Sequence, residues 1–215
     1  MLKISSKTQT ILDQVKLPQT KLGDLRKIAK DIKKDHTLAM ELWSSGHFFA
    51  RQLAILIMDK KLLTQETIDG LVQDMEQHPK EEQNHLIDWL MANQLSKDKK
   101  TIALMEGWEN HPSSLLRRIF WYYQGRLRWV GQTPPPNSEY LLKNIEENIV
   151  AEEPEVQWAM NFTAAQIGIF QKEFRARCIA IGENTGLYKD EMVAKNCTPN
   201  YLLKYIAMQV AKVEK

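Results

Sequence analysis

The chain has 215 residues, 43% of them apolar, and a formal net charge of +2. That is enough for one large domain or two small ones, with an apolar fraction ordinary for a globular core. There is no apolar run of about eighteen residues to span a membrane, and the opening MLKISSKTQT lacks the apolar stretch of a secretory signal. Cys178 and Cys197 form no metal or redox spacing, so both are expected as reduced thiols in a cytoplasmic protein.

In chain order the pattern is helical throughout. KLGDLRKIAKDI sets Leu22, Leu25, Ile28, Ala29 and Ile32 at three- and four-residue spacing, with basic residues on the other face. HFFARQLAILIM is strongly apolar. TQETIDGLVQDM opens on Thr64, three residues before Thr67, with Glu66 suited to a helix N-terminus. The chain then passes through His78-Pro79 into NHLIDWLMANQL, where Asp88 stands between Ile87 and Trp89. KTIALMEGW, SSLLRRIFWYYQGRLRW, SEYLLKNIEENI, PEVQWAMNFTAAQIG, KEFRARCIAIG and PNYLLKYIAMQVAK read as further helices. No alternating strand pattern is present. The turn signals are HP, GQTPPPNS, EEP and CTPN.

About eleven short helices with short connections predict a single domain over residues 1–215: an all-α, curved solenoid of HEAT-like antiparallel helix pairs. A faint repeat supports this. LWSSGHFFARQLAIL and GWENHPSSLLRRIFWYY share a Trp, a polar turn and a helix with Arg early in it, and Trp43 and Trp108 lie 65 residues apart.

Charge is clustered. Residues 1–35 hold nine Lys/Arg against four Asp. Residues 113–130 hold Arg117, Arg118, Arg126 and Arg128 with no acid, and residues 140–155 hold one Lys against five Glu. A basic concave surface suited to a polyanion and a set of solvated helix faces are both compatible with this pattern. The five histidines are scattered, so no metal site is expected. There is no phosphate loop, dinucleotide fingerprint, HExxH or GxSxG.

On a helix, Asp88 has Asn84, His85, Met91 and Ala92 one turn away, which puts its carboxylate at the edge of the apolar face. Trp43, Trp89, Trp108 and Trp121 fall at core spacing. Trp158 and Phe162 form an i, i+4 pair that suits either core or groove wall.

The order and spacing of KLGDLRKIAKDI, LWSSGHFFARQLAILIMD, IDWLMANQL, Trp-x9-Arg within GWENHPSSLLRR, PEVQWAMNFTAAQIG and NCTPNYLLKYIA resemble the AlkD-like DNA alkylation repair glycosylases, from about residue 17 onward. The resemblance implies a solenoid holding duplex DNA, alkylated or distorted. It also implies hydrolysis of the N-glycosidic bond of cationic N3- or N7-alkylpurines by a monomer without a cofactor. A cationic base is a good leaving group, and the developing sugar cation is stabilised by a carboxylate and an aromatic face. Asp88 matches the catalytic aspartate. Arg118, or Arg117 under a one-residue slip, matches the phosphate-binding arginine. Phe162 and Trp158 match the aromatic wall. Asn84 stands where the characterised glycosylases carry tryptophan. The alternatives are a non-catalytic helical-repeat protein for damaged or branched DNA, and a protein-interaction scaffold using the acidic stretch.

Overall fold

The computed structural model describes residues 4–129, 132–195 and 197–214. The described residues form twelve α-helices with three short 3-10 turns and contain no strand. They fall into two compact units, Met1–Glu106 and Gly107–Lys215.

Unit one holds α1 (Ser6–Val15), α2 (Leu22–Ile32), α3 (His36–Ser44), α4 (Phe48–Ile57), α5 (Gln65–Met75), α6 (Lys80–Asn93) and α7 (Lys99–Glu106). The helix starts are set by side chains that accept from otherwise orphaned amides. Asp35 accepts from Leu38 N at 3.0 Å and Thr64 from Thr67 N at 3.2 Å. Pro79 precedes α6, where a missing N–H costs nothing. Helix α4 packs against α2, α3 and α6. It is apolar on nearly every side, and Ala50, Leu53, Ala54, Ile55 and Ile57 are fully buried, as such a sequence demands. The apolar stripe of α2 is only partly covered: Leu25 is buried, Ile28 and Ile32 are half-buried and Leu22 is exposed.

Unit two holds α8 (Ser114–Arg126), α9 (Ser138–Asn148), α10 (Pro154–Phe170), α11 (Arg175–Thr185) and α12 (Leu202–Val213). Helix α10 is its centre and packs against α8, α9, α11 and α12. Small residues allow these close crossings. A Cβ on Gly168 would lie 2.7 Å from Ile206 Cδ1 on α12 and 3.0 Å from Cys178 Cβ on α11, and one on Gly125 would lie 2.7 Å from the Phe162 ring. Cys178 is buried, and that burial pushes its thiol up to about 12. Cys197 is exposed. The turn read at GQTPPPNS includes residue 131, which lies outside the described residues.

Trp43, Trp108 and Trp121 are core residues, as their spacing predicts. Trp89 is half-buried, with its Nε1 donating to the Gln52 carbonyl at 3.1 Å. No described helix is long and apolar enough to cross a membrane.

Candidate nucleic-acid interface

The repeat seen in the sequence has a physical counterpart. In unit one, Arg51 reaches back along the chain, its Nε donating to the Trp43 carbonyl at 3.3 Å, and forward to the end of α5, its Nη1 donating to the Asp74 carbonyl at 2.5 Å. Its guanidinium lies 5.0 Å from the Trp43 ring centroid, and Trp43 Nε1 donates to Asp74 Oδ2 at 2.8 Å. Burial lowers the Arg51 pKa, against the opposing charge of Asp74. The clasp adds a second donor to carbonyls at helix ends.

In unit two, Arg117 occupies the equivalent place. Its Nη1 donates to the carbonyls of His111 at 2.8 Å and Pro112 at 3.1 Å. Its Nη2 donates to Glu152 Oε2 at 3.0 Å and also pairs with Glu153. Burial opposes the Arg117 charge, but the two glutamates outweigh it and raise its pKa.

The other arginines of this stretch diverge. Arg118 is buried, donates to the Glu155 carbonyl at 3.0 Å and sits 4.3 Å from the Trp158 ring centroid. Arg128 is fully buried. Its guanidinium donates to the Gln124 carbonyl at 2.6 Å, Asn137 Oδ1 at 2.5 Å and Gln171 Oε1 at 3.2 Å, and to the Ser138 hydroxyl. Burial without a carboxylate lowers its pKa to about 10. The acid-free run 113–130 is therefore not a basic surface. Two of its four guanidiniums are interior, and a third is held by glutamates.

The acidic stretch is matched in the same way. Glu146 receives Arg177 at 2.7 and 2.8 Å, Glu152 and Glu153 receive Arg117, and Glu155 accepts from the Ser114 hydroxyl at 2.7 Å. Hydrogen bonds from Arg177 lower the pKa of Glu146.

Trp158 and Phe162 are half-buried and stacked, with centroids 5.6 Å apart and planes 12° from parallel. Tyr122 meets both, at 5.6 Å and 5.0 Å. Arg126, which the sequence reading did not single out, lies 4.3 Å from the Trp129 centroid and 5.7 Å from the Tyr122 centroid. The i, i+4 spacing of Tyr122 and Arg126, with Trp129 three residues on, carried that signal.

In unit one, Asp88 is half-buried on α6, between buried Ile87 and half-buried Trp89, at the edge of the apolar face as expected. The ring of Trp89 carries Arg26 at 5.1 Å. One turn before Asp88, the Asn84 Oδ1 is a buried acceptor without a hydrogen bond. Helix α2 exposes Arg26, Lys27 and Lys30, and the two residues that follow it, Lys33 and Lys34, are exposed as well. Lys27 lies 3.9 Å from Asp24, and Lys34 lies 3.2 Å from Asp59. Among the described residues, no group of three or more His, Cys, Asp or Glu is placed to hold a metal.

Residues 9–190 match the family model described as DNA alkylation repair enzyme. No curated protein matches the chain. A solved structure described as a new family of proteins related to the HEAT-like repeat DNA glycosylases with affinity for branched DNA structures has the same fold. It is 18% identical, with a TM-score of 0.70 over 97% of this chain and 89% of that one.

Proposed function

The chain belongs to the DNA alkylation repair enzyme family, and from that premise we propose that it binds distorted or branched DNA without excising a base. The observation that carries this reading is the commitment of Arg117 and Arg118 to protein groups. A phosphate clamp needs a guanidinium that meets the backbone as a free fork. Arg117 is held by two glutamates and two carbonyls, while Arg118 lies buried beside Trp158. Asn84 removes one aromatic wall and leaves its own carbonyl oxygen unpaired. The solved relative's affinity for branched DNA and the exposed cations of α2 support binding that follows backbone shape and charge. Three of the five glutamates of the acidic stretch are paired with Arg117 or Arg177 within unit two, which weighs against a protein-scaffold role.

Asp88 favours a second reading, hydrolysis of cationic N3- or N7-alkylpurines. A half-buried carboxylate beside Trp89 has the chemistry to stabilise a sugar cation and orient water. The experiment is release of methylated purines from alkylated duplex by wild type and Asp88→Asn, with four-way-junction binding followed by anisotropy. The proposal predicts tight junction binding and no release by either protein. Release by wild type that is lost in Asp88→Asn assigns the chemistry to Asp88 and replaces the first reading with the second.

A further inference from the structure

Helix α12 lies beyond residue 190, where the family match ends, and it builds one wall of a groove within unit two. Phe162, Gln166 and Phe170 stand on α10 at four-residue spacing. Tyr205 and Gln209 stand on α12 at the same spacing, and Trp129 joins them. The cavity is ≈ 440 Å³, within the range of about 300–1,000 Å³ typical of small-ligand sites.

Three features narrow the occupant. First, the walls are aromatic: Trp129 is 39% exposed, and Phe162 carries the stack with Trp158 and Tyr122. Second, amides lie among the rings. Gln166 is buried and interacts with the Tyr205 hydroxyl. Gln209 Nε2 donates to Thr198 Oγ1 at 3.1 Å, which leaves its Oε1, among the described residues, without a donor. Third, Arg126 stacks on Trp129 and Tyr122, and among the described residues it has no carboxylate partner. Among the described residues of the 113–130 run, it is the guanidinium that stacks on rings without a protein oxygen holding it.

Ring faces take a planar base, an amide oxygen accepts from a base amino group, and an unpaired guanidinium meets a phosphate. A purely apolar occupant leaves Arg126 and Gln209 Oε1 unanswered. A base inside a duplex cannot present its face to these rings. We infer that this groove holds an unpaired nucleotide, such as the first single-stranded position of a flap or gap, with its base between α10 and α12 and its phosphate at Arg126. This inference rests on the DNA-binding reading and adds to it the part of the DNA that unit two recognises.

The test places 2-aminopurine at the first unpaired position of a flap, and in a control duplex where it is paired, with a remote dye reporting binding of the full chain by anisotropy. Binding of the flap quenches 2-aminopurine at least twofold, and binding of the control duplex does not. Trp129→Leu removes the quench and weakens flap affinity roughly 5- to 100-fold, while duplex affinity stays within about twofold. Arg126→Gln lowers the salt slope of flap binding by about one. Both side chains are at least partly exposed, and a circular-dichroism melt checks that the variants fold; Trp129→Phe, which keeps a ring, restores most of the quench. Flap binding with unchanged emission, or a quench that survives Trp129→Leu, overturns the inference and leaves DNA binding standing. Absence of any DNA binding by wild type at low salt overturns both.

Discussion

In unit one, Arg51 reaches back to the Trp43 carbonyl and forward to Asp74; in unit two, Arg117 reaches back to His111 and Pro112 and forward to Glu152 and Glu153. The position in the repeat is the same, but the environment is not. Arg51 is buried and its direct hydrogen-bond partners are mainly backbone carbonyls. Arg117 meets two carboxylates, one of them, Glu153, 52% exposed. Unit two then adds a second arginine under Trp158, a third buried in an amide cluster and a fourth stacked on Trp129 and Tyr122. Repeated helix pairs keep the clasp because helix ends need capping everywhere. They diverge where one repeat acquires arginines that the clasp does not need.

The largest break in this comparison is at Arg128. Arg128→Met leaves the Gln124 carbonyl and Asn137 Oδ1 without their donor, while Gln171 Oε1 keeps the Ser138 hydroxyl, and buried groups orphaned in this way cost about 1–3 kcal/mol each. A loss of about 3 kcal/mol or more in urea unfolding is expected, and a loss below about 1 kcal/mol would mean that the cluster repairs itself. The second break compares the two clasps. Arg51→Ala is expected to cost about 2–3 kcal/mol at any salt concentration, because Arg51 is buried and donates to uncharged carbonyls. Arg117→Ala is expected to cost about 1 kcal/mol, shrinking in 0.5 M salt, because its glutamates are partly screened. Equal, salt-independent losses would erase the distinction.

The smallest effect concerns unit one alone. Burial, aided by the positive charge of Lys16, depresses the pKa of His47 below the ordinary imidazole value near 6.5, against the opposing charge of Glu82. The folded state therefore binds fewer protons than the unfolded chain just below that value. Stability contributed by neutral His47 is complete above about pH 6.5 and is lost as pH falls from there toward its folded pKa. His47→Gln should flatten the fall in Tm between pH 7.5 and 5.5; an unchanged slope would assign the loss to another group.

Much of this was legible in the sequence. Thr64 and Pro79 mark helix starts because capping is a local matter of a few residues. The buried tryptophans and the edge position of Asp88 follow from helical spacing. The direction of the arginines was not legible. Arg117 and Arg118 are neighbours, yet one turns to Glu152, 35 residues away, and the other to the Glu155 carbonyl, 37 residues away. A long side chain with an apolar stem and a charged head suits either surface or interior, and periodicity within one helix carries no information about the helix it meets. The same holds for the acid-free run at 113–130, whose counter-charges and acceptors arrive from α9, α10 and the turns around them.

The central claim, binding to DNA through backbone charge, is tested most directly by titrating a dye-labelled four-way junction with the wild-type chain across a series of salt concentrations. The account predicts tighter binding to the junction than to linear duplex. It also predicts an affinity that falls linearly with log salt, with a slope reduced by Lys27→Glu with Lys30→Glu on the exposed face of α2. No binding to either DNA at low salt, or binding indifferent to salt, would contradict it.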